Sequence, residues 1–237
     1  MLCSALCDNE TIECIRLNKV SLSLEQVKKL SDTIGRMKNV QRIEIRGVEN
    51  LITSEGLNTI DVMVTEKTKH LKLIELGIHG EIMVQLKEIL SKHGNLKTLD
   101  LSYNFITKEA CETLGEIINA NPQLQVLTLD HNNLMGNDGV KTTLDFCRNK
   151  SSLCSLSLVN TGINQNGFDD AINFCFDVPS MRRLILNSNR SVKSFNLSES
   201  KYPCGLEYLD VSKCNLGDSA AKNLLAFAKQ NVFLTKI

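Results

Sequence analysis

The sequence lacks any excess of charge. Lysine and arginine together number 27, as do aspartate and glutamate, so the formal net charge is zero in a chain of 237 residues. Proteins whose main task is to bind nucleic acid or an anionic membrane surface usually carry a clear basic excess. We therefore expect neither nucleic acid nor a membrane among the partners of this chain.

Long apolar runs and export signals are also lacking. No run approaches the roughly 18 residues of a membrane-spanning helix. The N-terminus, MLCSALCDNE, has no basic start and too short an apolar stretch for a secretory signal. Nine cysteines are scattered without CxxC pairs or Cys/His clusters, which favours free thiols in a reducing compartment. We expect a cytoplasmic protein, with the nucleus as the alternative.

What the sequence does contain is one recurring pattern of leucines. The stretch LKTLDLSYNFI at 96–106 fits L-x-x-L-x-L-x-x-N-x-L, and LQVLTLDHNNL at 124–134 repeats it 28 residues later. Looser copies start at Ile12, Val40, Leu71, Leu153, Met181 and Leu206, and a further copy opens at Leu234, with Asn231 aligned to Asn121. Starts separated by 25 to 31 residues indicate an internal repeat.

Each copy predicts one strand and one helix. The L-x-L core alternates with period two, as in a short strand with one buried face. The remainder has helical spacing, as in the apolar stripe Ala110, Cys111, Leu114, Ile117 and Ile118. One strand and one helix cannot bury their apolar faces alone, whereas stacked copies can. We predict an α/β solenoid of about eight repeats that forms a single domain over residues 1–237.

These motifs resemble the leucine-rich repeat family, and the 28-residue period with a full helix resembles its ribonuclease-inhibitor-like subclass. The resemblance covers essentially the whole chain. It implies a horseshoe with parallel strands on the concave face and helices on the convex face. It also implies a protein-interaction module that acts as an adaptor, scaffold, inhibitor or sensor.

Several copies depart from the pattern. The asparagine after the strand is replaced in five of them, by Val20, Val48, His79, Thr161 and Cys214. The copy from Val40 has three extra residues, which predicts a loop near one end of its helix. The segment 191–205 is Ser-rich without a helical stripe, so we expect it to be irregular. Cys147 and Cys175 share a helix column with leucine and isoleucine, which predicts core packing.

Both ends of the chain match the interior of a repeat. Leu2 and Leu6 align with Leu114 and Ile118, so the chain is expected to begin inside a helix of an earlier copy. Solenoids normally need polar capping units, and exposed end strands invite pairing with other chains. Three explanations stay open: a fragment of a longer repeat protein, ends covered by partner chains, or a tolerated imperfect end.

The positions between the strand leucines should face the concave side. The column between the two leucines places Glu44, Glu75 and Asp100 in succession, with Asp130 beside it. This arrangement is either a solvated inner face or an acidic stripe that receives a basic segment of a partner protein. The candidate partner-binding residues are Arg16, Arg42, Glu44, Arg46, Glu75, Asp100, Tyr103, Asp130, His131, Arg183, Tyr208 and Asp210, of which the aromatic ones are candidate anchors.

Signatures of catalysis and of cofactor binding are missing. The sequence has no P-loop, no GxGxxG and no Ser, Cys and His constellation, and its histidines lack zinc-ligand spacing. Glu75 and Asp100 could be drawn as acid and base, but an open strand face offers no enclosing pocket to shift a pKa. We expect no catalytic residues, no cofactor and no metal. The alternatives to a binding module are a GTPase-activator-like regulator and a structural subunit whose ends are covered by neighbours.

Overall fold

The structure, a computed structural model, describes residue 6 and residues 9–48, 51–196 and 204–237. The strands are β1 (Cys14–Asn18), β2 (Arg42–Arg46), β3 (His70–Ile74), β4 (Thr98–Asp100), β5 (Val126–Thr128), β6 (Ser155–Ser157), β7 (Arg183–Ile185) and β8 (Tyr208–Asp210). The helices are α1 (Leu24–Arg36), α2 (Ser54–Met63), α3 (Gly80–Leu90), α4 (Ala110–Ala120), α5 (Gly136–Cys147), α6 (Gln165–Asp177) and α7 (Asp218–Gln230).

All eight strands lie in one parallel sheet in chain order, each paired with the next. The strand leucines are in register from repeat to repeat, so that Leu71 pairs with Leu99 and Leu99 with Leu127. These three side chains are fully buried, because each strand turns alternate residues toward the helices. The predicted α/β solenoid is confirmed.

The helices bury the stripes that their spacing predicts. Ala110, Cys111, Leu114, Ile117 and Ile118 of α4 are all buried. Cys147 of α5 and Cys175 of α6 belong to the same apolar core, which confirms their predicted packing role. Burial raises the pKa of the Cys147 thiol to about 12, because the core disfavours the charged thiolate. No helix among the described residues has both the length and the apolar character needed to span a bilayer.

An asparagine ladder joins neighbouring repeats. The Asn104 Oδ1 accepts hydrogen bonds from the backbone N–H of Leu76 and of Ile78, both at 3.1 Å. Its Nδ2 donates to the carbonyl oxygens of Leu73 and Leu101, at 2.9 and 2.8 Å. The amide thus satisfies backbone groups that the turning chain leaves unpaired.

The third repeat begins at Thr68 rather than Leu71, so the expected three-residue insertion is wrong. Leu71 and Leu73 are the two buried residues of β3, and the strand is hydrogen-bonded in register with both neighbours. Thr68 lies 28 residues after Val40 and 28 before Leu96. The ladder position of this repeat is therefore the buried Leu76, whereas His79 is exposed and is the N-cap residue of α3.

The segment after β7 has no helix where it is described, at 191–196; residues 197–203 of the expected irregular segment lie outside the described ranges. Phe195 of this segment is fully buried. Its ring centroid lies 6.1 Å from that of Phe168 and 5.6 Å from that of Phe227. The Gln165 Oε1 holds this segment by accepting from the backbone N–H groups of residues 193 and 194.

The last described residues repeat the geometry of an interior copy. The Asn231 Oδ1 accepts from the Cys204 backbone N–H at 3.1 Å, as the Asn121 Oδ1 accepts from the Leu96 N–H at 3.1 Å. Lys236 forms a parallel bridge with Tyr208 of β8. The aligned copy from Leu234 is thus confirmed. The predicted helical position of Leu2 lies outside the described residues.

Candidate partner-binding face

The concave face consists of the strand side chains that alternate with the buried leucines. Its first column is Cys14, Arg42, His70, Thr98, Val126, Ser155, Arg183 and Tyr208. Its second column is Arg16, Glu44, Lys72, Asp100, Thr128, Ser157, Ile185 and Asp210. Because equivalent residues of adjacent strands lie about 5 Å apart, each column is a continuous row of side chains.

The expected acidic succession of Glu44, Glu75 and Asp100 is wrong. The strand register pairs Glu44 with Lys72 and Lys72 with Asp100. Charges in this column therefore alternate in sign, and a cation occupies the place that the sequence pattern assigned to Glu75. The reason for expecting a partner with a basic segment disappears with it.

Glu44 lies between two cations. The Arg16 Nε is 2.7 Å from the Glu44 Oε2, and the Lys72 Nζ is 3.7 Å from the Glu44 Oε1. Cross-strand pairs of opposite charge stabilise a sheet modestly. The carboxylate of Glu44 is therefore neutralised within the concave face.

Glu75 lies just beyond the end of β3 and is neutralised in a similar way. Its Oε2 is 3.0 Å from the Arg46 Nε, and its Oε1 is 3.3 Å from the Lys19 Nζ, two repeats away. The hydrogen bonds from Arg46 and Lys19 hold the pKa of Glu75 below its ordinary value. Arg46 and Glu75 thus lie together, as two members of the candidate set.

A row of left-handed residues follows the strands. The residues are Lys19, Gly47, Glu75, Tyr103, His131, Asn160, Ser188 and Lys213, with φ between 50° and 63°. This turn brings Tyr103 and His131 face to face, with ring centroids 4.1 Å apart and planes inclined by 15°. The Arg46 Cζ lies 5.5 Å from the centroid of the Tyr103 ring. Asp130 and His131 lie beyond the end of β5, so the alternation of strand side chains between opposite faces does not apply to them.

Asp130 is engaged by its own neighbours. Its Oδ1 accepts from the Ser157 Oγ at 2.6 Å and from the Val159 backbone N–H at 3.0 Å. Burial raises the pKa of the Asp130 carboxyl above its ordinary value of 3.8, the two hydrogen bonds oppose that shift, and the charge of Asp100 adds to it. The structure thus brings Asp100 and Asp130 close together.

At the other end of the sheet, Arg183 covers an aromatic ring. The Arg183 Cζ lies 4.1 Å from the centroid of Tyr208, within the range of a cation–π contact. Asp210, two residues beyond Tyr208, accepts a hydrogen bond from the Asn187 Nδ2 at 2.9 Å. These residues are several strands away from Arg16 and Glu44, so the candidate set covers the whole face rather than one pocket.

Two residues of this face, His70 and Lys72, were missed from the sequence, because the shifted start at Leu71 hid their strand positions. Lys69 and Lys97, which directly precede β3 and β4 at the edge of the face, were missed with them. Even spacing was the signal that could have found them, because Val40, Thr68, Leu96 and Leu124 are separated by 28 residues each.

A sheet built from one strand per repeat, backed by helices and joined by an asparagine ladder, is the fold of the leucine-rich repeat, and the chain has this fold. Two models of the leucine-rich repeat match it, at residues 95–117 and 204–225. Both matches fall on repeats described above.

Curated relatives match longer stretches. NLR family CARD domain-containing protein 4 of Xenopus tropicalis is 20% identical over 232 residues, 94% of this chain and 20% of that protein. NACHT, LRR and PYD domains-containing protein 13 of Homo sapiens is 30% identical over 160 residues, 65% of this chain and 15% of that protein. NACHT, LRR and PYD domains-containing protein 4E of Mus musculus is 24% identical over 227 residues, 92% of this chain and 23% of that protein. The chain thus spans less than a quarter of the length of each of these relatives.

Among solved structures, the tropomodulin C-terminal domain of Caenorhabditis elegans resembles the chain with a TM-score of 0.44 and 12% identity. The match covers 73% of this chain and 90% of the tropomodulin domain.

Proposed function

We propose that the chain is a protein-recognition module that binds a partner protein through its concave face, as an adaptor, scaffold, inhibitor or sensor. The observation that carries the proposal is a set of aromatic side chains on this face that are held in place by stacking and by cation–π contacts. Tyr103 is 45% exposed although its ring stacks on His131. Tyr208 is held under Arg183 in a comparable way.

Such side chains favour binding because their conformations are already fixed in the free protein. Aromatic and arginine side chains contribute a large share of the energy at protein interfaces. Fixing them in the free protein lowers the conformational entropy that association has to overcome. The aligned columns of the concave face cross all eight strands, which matches the breadth of a protein partner better than that of a small molecule.

The relatives support the same class of function, since the names of two of them include leucine-rich repeats as one part of a larger protein. We also propose a cytoplasmic location. It is supported by the seven cysteines that the structure describes, which are all free thiols.

A steric block tests the proposal without depending on any native charge. Thr128→Arg with Ser155→Arg would place two long side chains at the centre of the concave face, on β5 and β6. Asn119→Arg with Ser219→Arg adds the same charge at exposed positions of helices α4 and α7. Proteins captured from cytosolic extract would be quantified by mass spectrometry for the wild type and both variants, after circular dichroism confirms folding.

We expect the concave variant to lose a partner that the helix variant retains, and the purified partner to bind the wild type in calorimetry. Equal capture by both variants would refute binding through the concave face.

A further inference from the structure

We propose that the partner is bound through an acidic peptide segment, which docks on a basic corner at the N-terminal edge of the concave face: Arg42, Lys69, His70 and Lys97. This inference rests on the proposed function and specifies the chemistry of the partner. It reverses the sign of charge that the sequence pattern indicated.

The corner is formed by three adjacent repeats at the N-terminal ends of β2, β3 and β4. Arg42 is paired in register with His70, and His70 with Thr98. The backbone N–H of Lys97 donates to the carbonyl oxygen of Lys69 at 2.7 Å. The two lysines therefore occupy equivalent places on neighbouring repeats, about 5 Å apart along the sheet.

The cations of this corner are not neutralised. Over the ranges that the structure describes, Arg42, Lys69 and Lys97 have no carboxylate within 4.0 Å. The Lys69 Nζ donates to the neutral amide Oε1 of Gln41 at 2.9 Å. Of the nearby acids on the strands and just beyond them, Glu44 and Glu75 are each held by two other cations. A third, Asp100 of β4, accepts from the backbone N–H and the Oγ of Ser102.

The positive charges of this corner act on the pKa of His70. Its Nδ1 lies 2.9 Å from the Thr98 Oγ1. Burial lowers the pKa of His70 below its ordinary value of 6.5, and the positive charges of Arg42, Lys97 and Lys69 lower it further. Three cations on three repeats thus converge on one ring. Charge complementarity at such a corner favours an anionic ligand.

An extended peptide fits the spacing. Alternate side chains of an extended chain point the same way and lie about 6.6 Å apart. Neighbouring strands are separated by about 5 Å, and the long lysine and arginine side chains absorb the difference. A segment with carboxylates at alternate positions, lying across β2 to β4, therefore places one carboxylate near each cation.

The test uses a fluorescein-labelled peptide of alternating Glu and Ser, with a Gln–Ser peptide as its uncharged counterpart, followed by fluorescence anisotropy. The variant is Arg42→Gln, Lys69→Gln, Lys97→Gln. The matched control is Lys141→Gln, Lys222→Gln, Lys229→Gln, which removes the same charge from exposed positions of helices α5 and α7.

We expect the Glu–Ser peptide to bind the wild type and the helix control alike, and the corner variant about tenfold more weakly. Binding should weaken as salt is added. In the wild type, the NMR titration of His70 should move to higher pH on binding, because carboxylates offset the surrounding cations.

Equal binding by the two triple variants, or an unchanged His70 titration, would overturn the acidic-segment proposal. So would a single-stranded oligonucleotide that binds through the same three cations while the Glu–Ser peptide does not.

The two proposals fail in different ways. If the corner variant keeps every partner that the Thr128→Arg, Ser155→Arg variant loses, the corner is refuted while concave binding stands. If neither variant differs from its helix-face control in capture, concave binding itself is refuted.

Discussion

At the scale of single residues, one buried amide joins two repeats. Asn104 satisfies four backbone groups of the third and fourth repeats and is itself buried. Asn132 and Asn189 donate to the equivalent carbonyl oxygens of their own and the preceding repeat. A residue without donor and acceptor at these places leaves buried backbone groups without partners.

The variant Asn104→Ala should therefore lower the free energy of unfolding by about 2 to 4 kcal/mol, because several buried groups lose their partners at once. Urea unfolding followed by circular dichroism measures the change. The neighbouring exposed Asn133 is the control, and Asn133→Ala should stay within about 0.5 kcal/mol of the wild type. Similar losses in both variants would contradict the role given to the ladder.

His70 makes stability depend on pH. Because its pKa is lower in the folded chain than the ordinary 6.5, the unfolded chain binds a proton first as the pH falls. The stability linked to the neutral ring is present above pH 6.5 and is lost as the pH falls from there through the folded pKa. Urea unfolding of the wild type and of His70→Gln between about pH 7 and pH 5 should show a steeper loss for the wild type. Parallel curves would refute this linkage.

At the scale of elements, one phenylalanine connects the helices of the sixth and eighth repeats. The seventh repeat has no helix at 191–196, and Phe195 packs between Phe168 of α6 and Phe227 of α7. The Phe195 ring is fully buried, so its contacts with both helices are part of the close-packed core.

Phe195→Ala should destabilise the protein by about 3 to 5 kcal/mol through loss of burial and the cavity left behind. Phe105→Ala removes the same atoms from a side chain that is 60% exposed, and we expect a change within about 0.5 kcal/mol. Thermal and urea unfolding compare the two. A small effect at Phe195 would contradict the role given to this ring in the core.

The repeats themselves could be read from sequence where the motif is complete, as at 96–106 and 124–134. The start of the third repeat was predicted three residues too late, at Leu71 instead of Thr68. Leu71, Ile74 and Leu76 also satisfy L-x-x-L-x-L, and the ladder position of this repeat holds an apolar residue instead of asparagine. The even spacing of 28 residues favours the start at Thr68, and backbone pairing with both neighbours establishes it. That displacement changed the charge sequence of the concave face and hid the basic corner.

Leu134 shows a second limit of the motif. It fits the final leucine position, yet it is 54% exposed, and Met135 is buried in its place. In the repeat before, the Asn132 Oδ1 accepts from the Ile106 N–H and holds that residue inward. The next ladder residue is Thr161, whose hydroxyl donates to the Leu158 carbonyl instead. The position of a loop residue thus depends on the following repeat, which the local pattern does not contain.

At the scale of the whole molecule, the burial of the strand residues varies from one end of the stack of repeats to the middle. The strand residues Ile15 and Leu17 of the first repeat are only partly buried, whereas Leu99 and Leu127 in the middle are fully buried. The first three repeats also have Val20, Val48 and Leu76 at the ladder position. In a stacked array, each repeat is stabilised chiefly by its immediate neighbours.

Hydrogen exchange followed by mass spectrometry should therefore show a gradient. We expect the amides of β1 to exchange fastest and those of β4 and β5 slowest, since local openings need less free energy where burial is incomplete. Uniform protection across all strands would contradict a graded stack and indicate one cooperative unit.

The row of left-handed residues after the strands has a consequence for protein engineering. Each repeat fixes one side chain at the same bend of the backbone, and natural occupants range from lysine and glutamate to tyrosine and serine. Tyr103 and His131 stack nearly parallel because of that shared geometry. The row can thus serve as an array of display positions, in which an aromatic residue substituted at Asn160 would extend the existing stack of rings by one more step.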